Sequence, residues 1–132
     1  MTTSTSPRSA LRPAVVLAAV VGALAGWLIA DPVAGIDLAV TVNEEPTTVG
    51  PLDAGGIALA AGLAAWGVLA LIERAGEHVR RRWTTLSLTV LILSFAGPLT
   101  AAETTEATIA LLGLHLLVGA ILILALRHTA RA

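Results

Sequence analysis

Four long apolar runs decide which solvent this chain folds in. A helix rises about 1.5 Å per residue and the hydrocarbon core of a bilayer is about 30 Å thick, so one crossing takes about 20 mostly apolar residues. Runs of that length extend from about Ala14 to Ala30, Ala54 to Ile72, Trp83 to Ala102 and Glu106 to Leu126. Backbone groups in lipid must bond within their own segment, which makes these runs helices. Composition agrees: 56% of the 132 residues are hydrophobic and only 13% are charged, whereas soluble domains carry about 25% charged residues. The expected fold is an all-α membrane protein, a bundle of four transmembrane helices.

Local signals set the expected ends. Arg12 precedes the first span, Pro13 suits a first helical turn, and Asp31-Pro32 stops the helix. Asp53 is placed to cap the second span, and Glu73-Arg74 reads as its solvated exit. Gly97-Pro98 predicts a kink late in the third, and Arg127 closes the fourth. Residues 1–10, rich in Thr, Ser and Pro, read as a disordered cytoplasmic tail, with 11–132 as one domain. A second reading of the N-terminus is a cleavable secretory signal, built on Arg8, Arg12 and Ala23-Leu24-Ala25. Against it, the apolar run continues through Trp27, Leu28 and Ile29, longer than most signal cores.

Arginine placement predicts orientation. In a four-span arrangement all eight arginines, Arg8, Arg12, Arg74, Arg80, Arg81, Arg82, Arg127 and Arg131, fall on one face. The positive-inside rule makes that face cytoplasmic, with both termini in the cytoplasm of a multi-pass cell-membrane protein. Seven of the nine acids take the other face, and only Glu73 and Glu77 join the arginines. A net charge of −1 gives no reason to expect a nucleic-acid partner. The chain has no cysteine, which excludes disulfides and thiolate chemistry.

Short links join spans two, three and four into an antiparallel hairpin series. The outer loop, residues 31–53, is long enough to carry structure of its own. Ile36 to Val42 alternates apolar with small or polar residues, Asn43 to Pro46 supplies a turn, and Thr47 to Val49 can return as a second strand. A small extracytoplasmic β-hairpin-like loop between helices 1 and 2 is therefore expected, lying as a cap on the helix ends. An external binding platform is the alternative.

Small residues let membrane helices approach closely, and Gly22, Gly26, Gly62 and Gly119 are the candidates. Packing inside the bundle is expected to use them, and a homo-oligomer through Gly22 and Gly26 is the alternative. Trp83, and with it Trp27, fits an interfacial aromatic belt. Arg80, Arg81 and Arg82 beside Trp83 can hold anionic lipid headgroups or simply set topology.

By this reading no Asp, Glu, Lys or Arg lies within a span past its end residues, and His115 is the one ionisable side chain well inside. Thr89 and Ser94 of span three, and Thr108 of its own helix, are its candidate partners in an intramembrane polar cluster. A neutral histidine bonded to a hydroxyl on the next helix is the simpler expectation; a proton- or ligand-binding site is the sharper one. His78 and His128 lie at another depth, so no metal site is expected. Glu106 is about 13 Å along the helix axis from His115, leaving any Ser94–His115 pair without an orienting acid. No catalytic residues and no cofactor are assigned.

Asp37-Leu38 with Val40, Thr48-Val49-Gly50, Trp66-Gly67 with Glu73-Arg74, Gly97-Pro98, and His115-Leu116 with Val118 form a recurring set of landmarks. On these the chain resembles an actinobacterial family of small four-helix integral membrane proteins whose function is unassigned. The resemblance implies a membrane location and adds no mechanism. The function expected is that of a non-enzymatic accessory or scaffold subunit, or a cell-envelope factor, whose partners are the lipid bilayer and another membrane protein or itself. The alternative is a small transporter or proton-linked channel using His115.

Overall fold

The computed structural model describes residues 9–130; Arg8, Arg131 and the tail expected before Ser9 lie outside them. Helix α1 (Arg12–Leu28) follows a single 3-10 turn, with Pro13 in its first turn as expected. Two short strands, β1 (Ala39–Val42) and β2 (Glu45–Thr48), then pair antiparallel. Helix α2 (Pro51–Arg74), helix α3 (Val79–Ser94), the short α4 (Ala96–Ala101) and α5 (Thr105–Thr129) complete the chain. Taken with their continuations, four helices of 22, 24, 23 and 25 residues are long and apolar enough to cross a membrane.

Each departure from the expected ends has a local cause. Asp31-Pro32 does not stop the first helix; it widens it into a π-helical turn over Ile29–Val33, in which Ala34 N–H reaches Ile29 O. Proline has no N–H to offer and its ring crowds the preceding turn, which a wider turn accommodates. Gly35 then ends the turn at φ +71°, a left-handed conformation that glycine adopts without strain. Asp53 is not the N-cap of α2. Gly50 is, and the Asp53 carboxylate reaches back to accept from Gly50 N–H at 2.9 Å. The third span starts at Val79, so Arg80, Arg81 and Arg82 lie inside the helix, where arginine is a favourable residue. Its break falls at Phe95, because Pro98 cannot donate to the carbonyl one turn earlier. Thr104 caps α5, accepting from Ala107 N–H at 3.0 Å.

The helices form an up-down-up-down ring in which α1 packs most extensively, on α2 and α5, while α3 leans mainly on α5. The seam between α2 and α3 is the thinner one, although a short link joins them. Glycines set the close approaches. A Cβ on Gly62 would fall 2.9 Å from Val16 Cγ1, one on Gly26 2.5 Å from Leu114 Cδ2, one on Gly22 2.8 Å from Ile121 Cδ1, and one on Gly119 2.7 Å from Leu91 Cδ1. The Gly22/Gly26 face therefore meets α5 within the same chain.

Two apolar clusters anchor the ring, one at each end. At the arginine end Ala19, Leu69, Val79, Trp83, Leu122, Leu126 and Ala130 pack together. Trp83 is 2% exposed and donates its indole N–H to Ile123 O at 3.0 Å, so it belongs to this core and not to an interfacial belt. At the other end Ala30, Leu38, Val40 and Leu111 pack beneath the hairpin.

Candidate functional site

Three places merit description: the arginine end, the surroundings of His115 and the hairpin cap.

At the arginine end, Arg12 is 5% exposed in the first turn of α1 and meets Glu73 in the last turn of α2 at 2.7 Å. Arg12 Nε also donates to Thr129 Oγ1 at 3.1 Å and its Nη2 to Thr129 O at 3.4 Å, which brings in the end of α5. Glu73 is thus not a solvated terminus, and charged groups do lie within the terminal turns of two spans. Arg74, its neighbour, stays exposed. Each charge sits where its own helix disfavours it, a cation at an N-terminus and an anion at a C-terminus. Pairing offsets both penalties, and Arg12 gains the C-terminal carbonyl of α5. The arrangement is a buried clamp across three helices; sequence spacing could not reveal it, because the partners of Arg12 lie 61 and 117 residues away.

His115 is half-buried in α5, with its ring edge-on to Phe95, centroids 6.4 Å apart. Its partner is not a hydroxyl of the next helix. Nδ1 lies 2.9 Å from Leu111 O one turn earlier, and as donor it leaves Nε2 as the acceptor nitrogen of the neutral ring. The expected cluster residues are satisfied in the same way: Thr89 bonds Thr85 O at 2.8 Å, Ser94 bonds Leu91 O at 2.6 Å and Thr108 bonds Thr104 O at 2.9 Å. No hydrogen bond joins any two of the four. In an apolar setting the carbonyl one turn back is the nearest acceptor a side chain can reach. Among the described residues no three His, Asp or Glu side chains gather as metal ligands.

The hairpin is fixed from several sides. Trp27 Nε1 donates to Val49 O at 2.9 Å, Glu103 N–H bonds Ala39 O at 3.0 Å, and Thr41 Oγ1 donates to Glu103 Oε1 at 2.9 Å. Val40 also bridges to Ala102. The turn is tighter than expected, just Asn43 and Glu44, both at positive φ (+51° and +65°), and the return strand starts at Glu45. That is the backbone of a type I′ turn, which matches the twist of the strands it joins. The cap expectation describes this loop: Leu38 and Val40 are buried against the helix ends, while Thr41 to Thr48 face out.

A ring of membrane-length helices, clamped at one end by an ion pair and capped at the other by a hairpin, defines a multi-pass membrane protein. The chain belongs to a family of unknown function, DUF6069, whose model matches residues 3–132. No curated protein and no solved structure matches it.

Proposed function

We propose that this is a non-enzymatic subunit of the cell membrane, an accessory or scaffold component that holds a partner protein against its cap. In this reading the arginine end and both termini face the cytoplasm, as the positive-inside rule favours, and the hairpin faces outward. The resemblance to small actinobacterial membrane proteins supports the same location.

The observation that carries the reading is the hairpin tip. Glu44 holds φ +65° at an exposed turn where glycine would be unstrained, and Glu45 follows it, also exposed. A left-handed non-glycine residue costs about 1–2 kcal/mol, and such strain concentrates where a side chain has a task. The tip stands on a base bonded to α1 and the α4–α5 link, so little ordering is left to oppose association.

The test is affinity purification from native membranes in mild detergent, with the unchanged chain and with Glu44→Gly. A stoichiometric partner should accompany the first and be lost from the second, whose melting temperature should not fall. An unchanged chain that purifies alone, or equal recovery with both, ends the proposal. Proteoliposomes supply the contrast: a pH-driven flux that disappears in His115→Ala would replace this reading with transport.

A further inference from the structure

A groove of about 640 Å³ opens at the arginine end, at the thin seam between α2 and α3. Its mouth carries His78, Arg81 and Arg82; deeper along the helix it is lined by Thr85, Leu86 and Ile72. Two arginines at the level of the headgroups thus lead onto apolar side chains at the level of the acyl chains. We propose that this groove binds one anionic phospholipid, its phosphodiester held by Arg81 and Arg82 and an acyl chain lying along Leu86 and Ile72. The inference is independent of the partner proposed for the hairpin.

Three observations converge on a bound anion. Three consecutive arginines occupy the first turn of α3, where they repel one another and the positive end of the helix dipole; no acid shares that turn. The acids of this end are engaged or turned elsewhere: Glu73 pairs with Arg12, and Glu77 lies 4.0 Å from His78 in solvent, while neither Arg81 nor Arg82 pairs with an acid among the described residues. Finally, Thr84, Ser87, Thr89 and Ser94 all spend their hydroxyl protons on carbonyls of α3, whereas Thr85, the hydroxyl facing the groove nearest the arginines, does not. An acidic headgroup relieves the repulsion and takes the free donors, and the helix N-terminus favours the same charge.

Native mass spectrometry of the delipidated full chain in neutral detergent tests this with phosphatidylglycerol, phosphatidylcholine and water-soluble glycerol phosphate. The unchanged protein should retain phosphatidylglycerol about tenfold or more over phosphatidylcholine, as two arginines at a headgroup imply. Arg81→Gln with Arg82→Gln should abolish that preference. Arg74→Gln, an exposed arginine of the same end outside the groove, should leave it intact. Leu86→Trp keeps every charge but fills the apolar floor, so it should also lower retention, and circular dichroism will show whether each variant keeps its helices. Equal retention of both lipids, an equal loss in Arg74→Gln, no loss in a folded Leu86→Trp, or glycerol phosphate binding as tightly as the lipid would each overturn the proposal.

Discussion

Arg12 and Glu73 form a buried ion pair at 2.7 Å between the ends of α1 and α2. Removing one partner leaves the other charge buried and costs about 3–5 kcal/mol, while replacing both with apolar residues of similar size is close to neutral. Arg12→Met and Glu73→Met should each lower stability by that amount in mixed-micelle unfolding, and the double variant should recover most of the loss. Additive losses would show that the two are not coupled. Trp83 has a smaller polar role: Trp83→Phe keeps most of the ring and loses one bond to Ile123 O, a carbonyl inside α5 that keeps its helical partner, and should cost about 0.5–1.5 kcal/mol by the same measurement. Neither residue announced itself in the sequence. Arginine and glutamate beside apolar runs look like solvated ends, and a tryptophan beside arginines looks like a belt residue. What turns them inward is the convergence of three helix ends, which no single segment encodes. His115 was recognisable as the lone ionisable group at depth, but its bond to Leu111 O answers to local geometry and not to the neighbouring helix.

The helices themselves were plain from hydropathy, since burial in lipid is written along each segment. Their ends were not, because a charged side chain can continue a helix as readily as leave it, and α3 begins four residues before its first apolar stretch. The hairpin was readable as alternation between Ile36 and Val42; its turn was misjudged because Asn43-Glu44 lacks the glycine that usually marks a type I′ pair. Supplying that glycine should help: Glu44→Gly relieves the left-handed strain and should raise stability by about 1 kcal/mol. A fall would mean that the Glu44 side chain stabilises the tip. The glycine contacts also differ in kind. Gly26 faces the tip of Leu114, which can swing away, whereas Gly62 faces Cβ and both methyls of Val16, which is stiff within a helix. Gly62→Ala should therefore destabilise by about 1–3 kcal/mol and Gly26→Ala by less, as thermal unfolding in detergent will show. The reverse order would contradict the packing described.

The chain as a whole has opposite ends of opposite character, which makes its threading testable. Single cysteines at Arg81 and at Asn43 should be labelled from opposite sides of the membrane, with Asn43 reactive in intact cells and Arg81 only after permeabilisation. Labelling of both from outside would rule out four crossings, and the inverse pattern would reverse the proposed orientation. The number of membrane-length helices was the feature most accessible to sequence, because hydropathy acts over whole segments and does not depend on side-chain detail.

The clamp also bears on the order of events at the ribosome. Arg12 meets Thr129, 117 residues later, so α1 is made well before α5 and waits for it before its guanidinium is fully held. Until α5 emerges, α1 lacks one of its two principal neighbours, and a nascent chain halted before it would present an incomplete ring to cellular proteases.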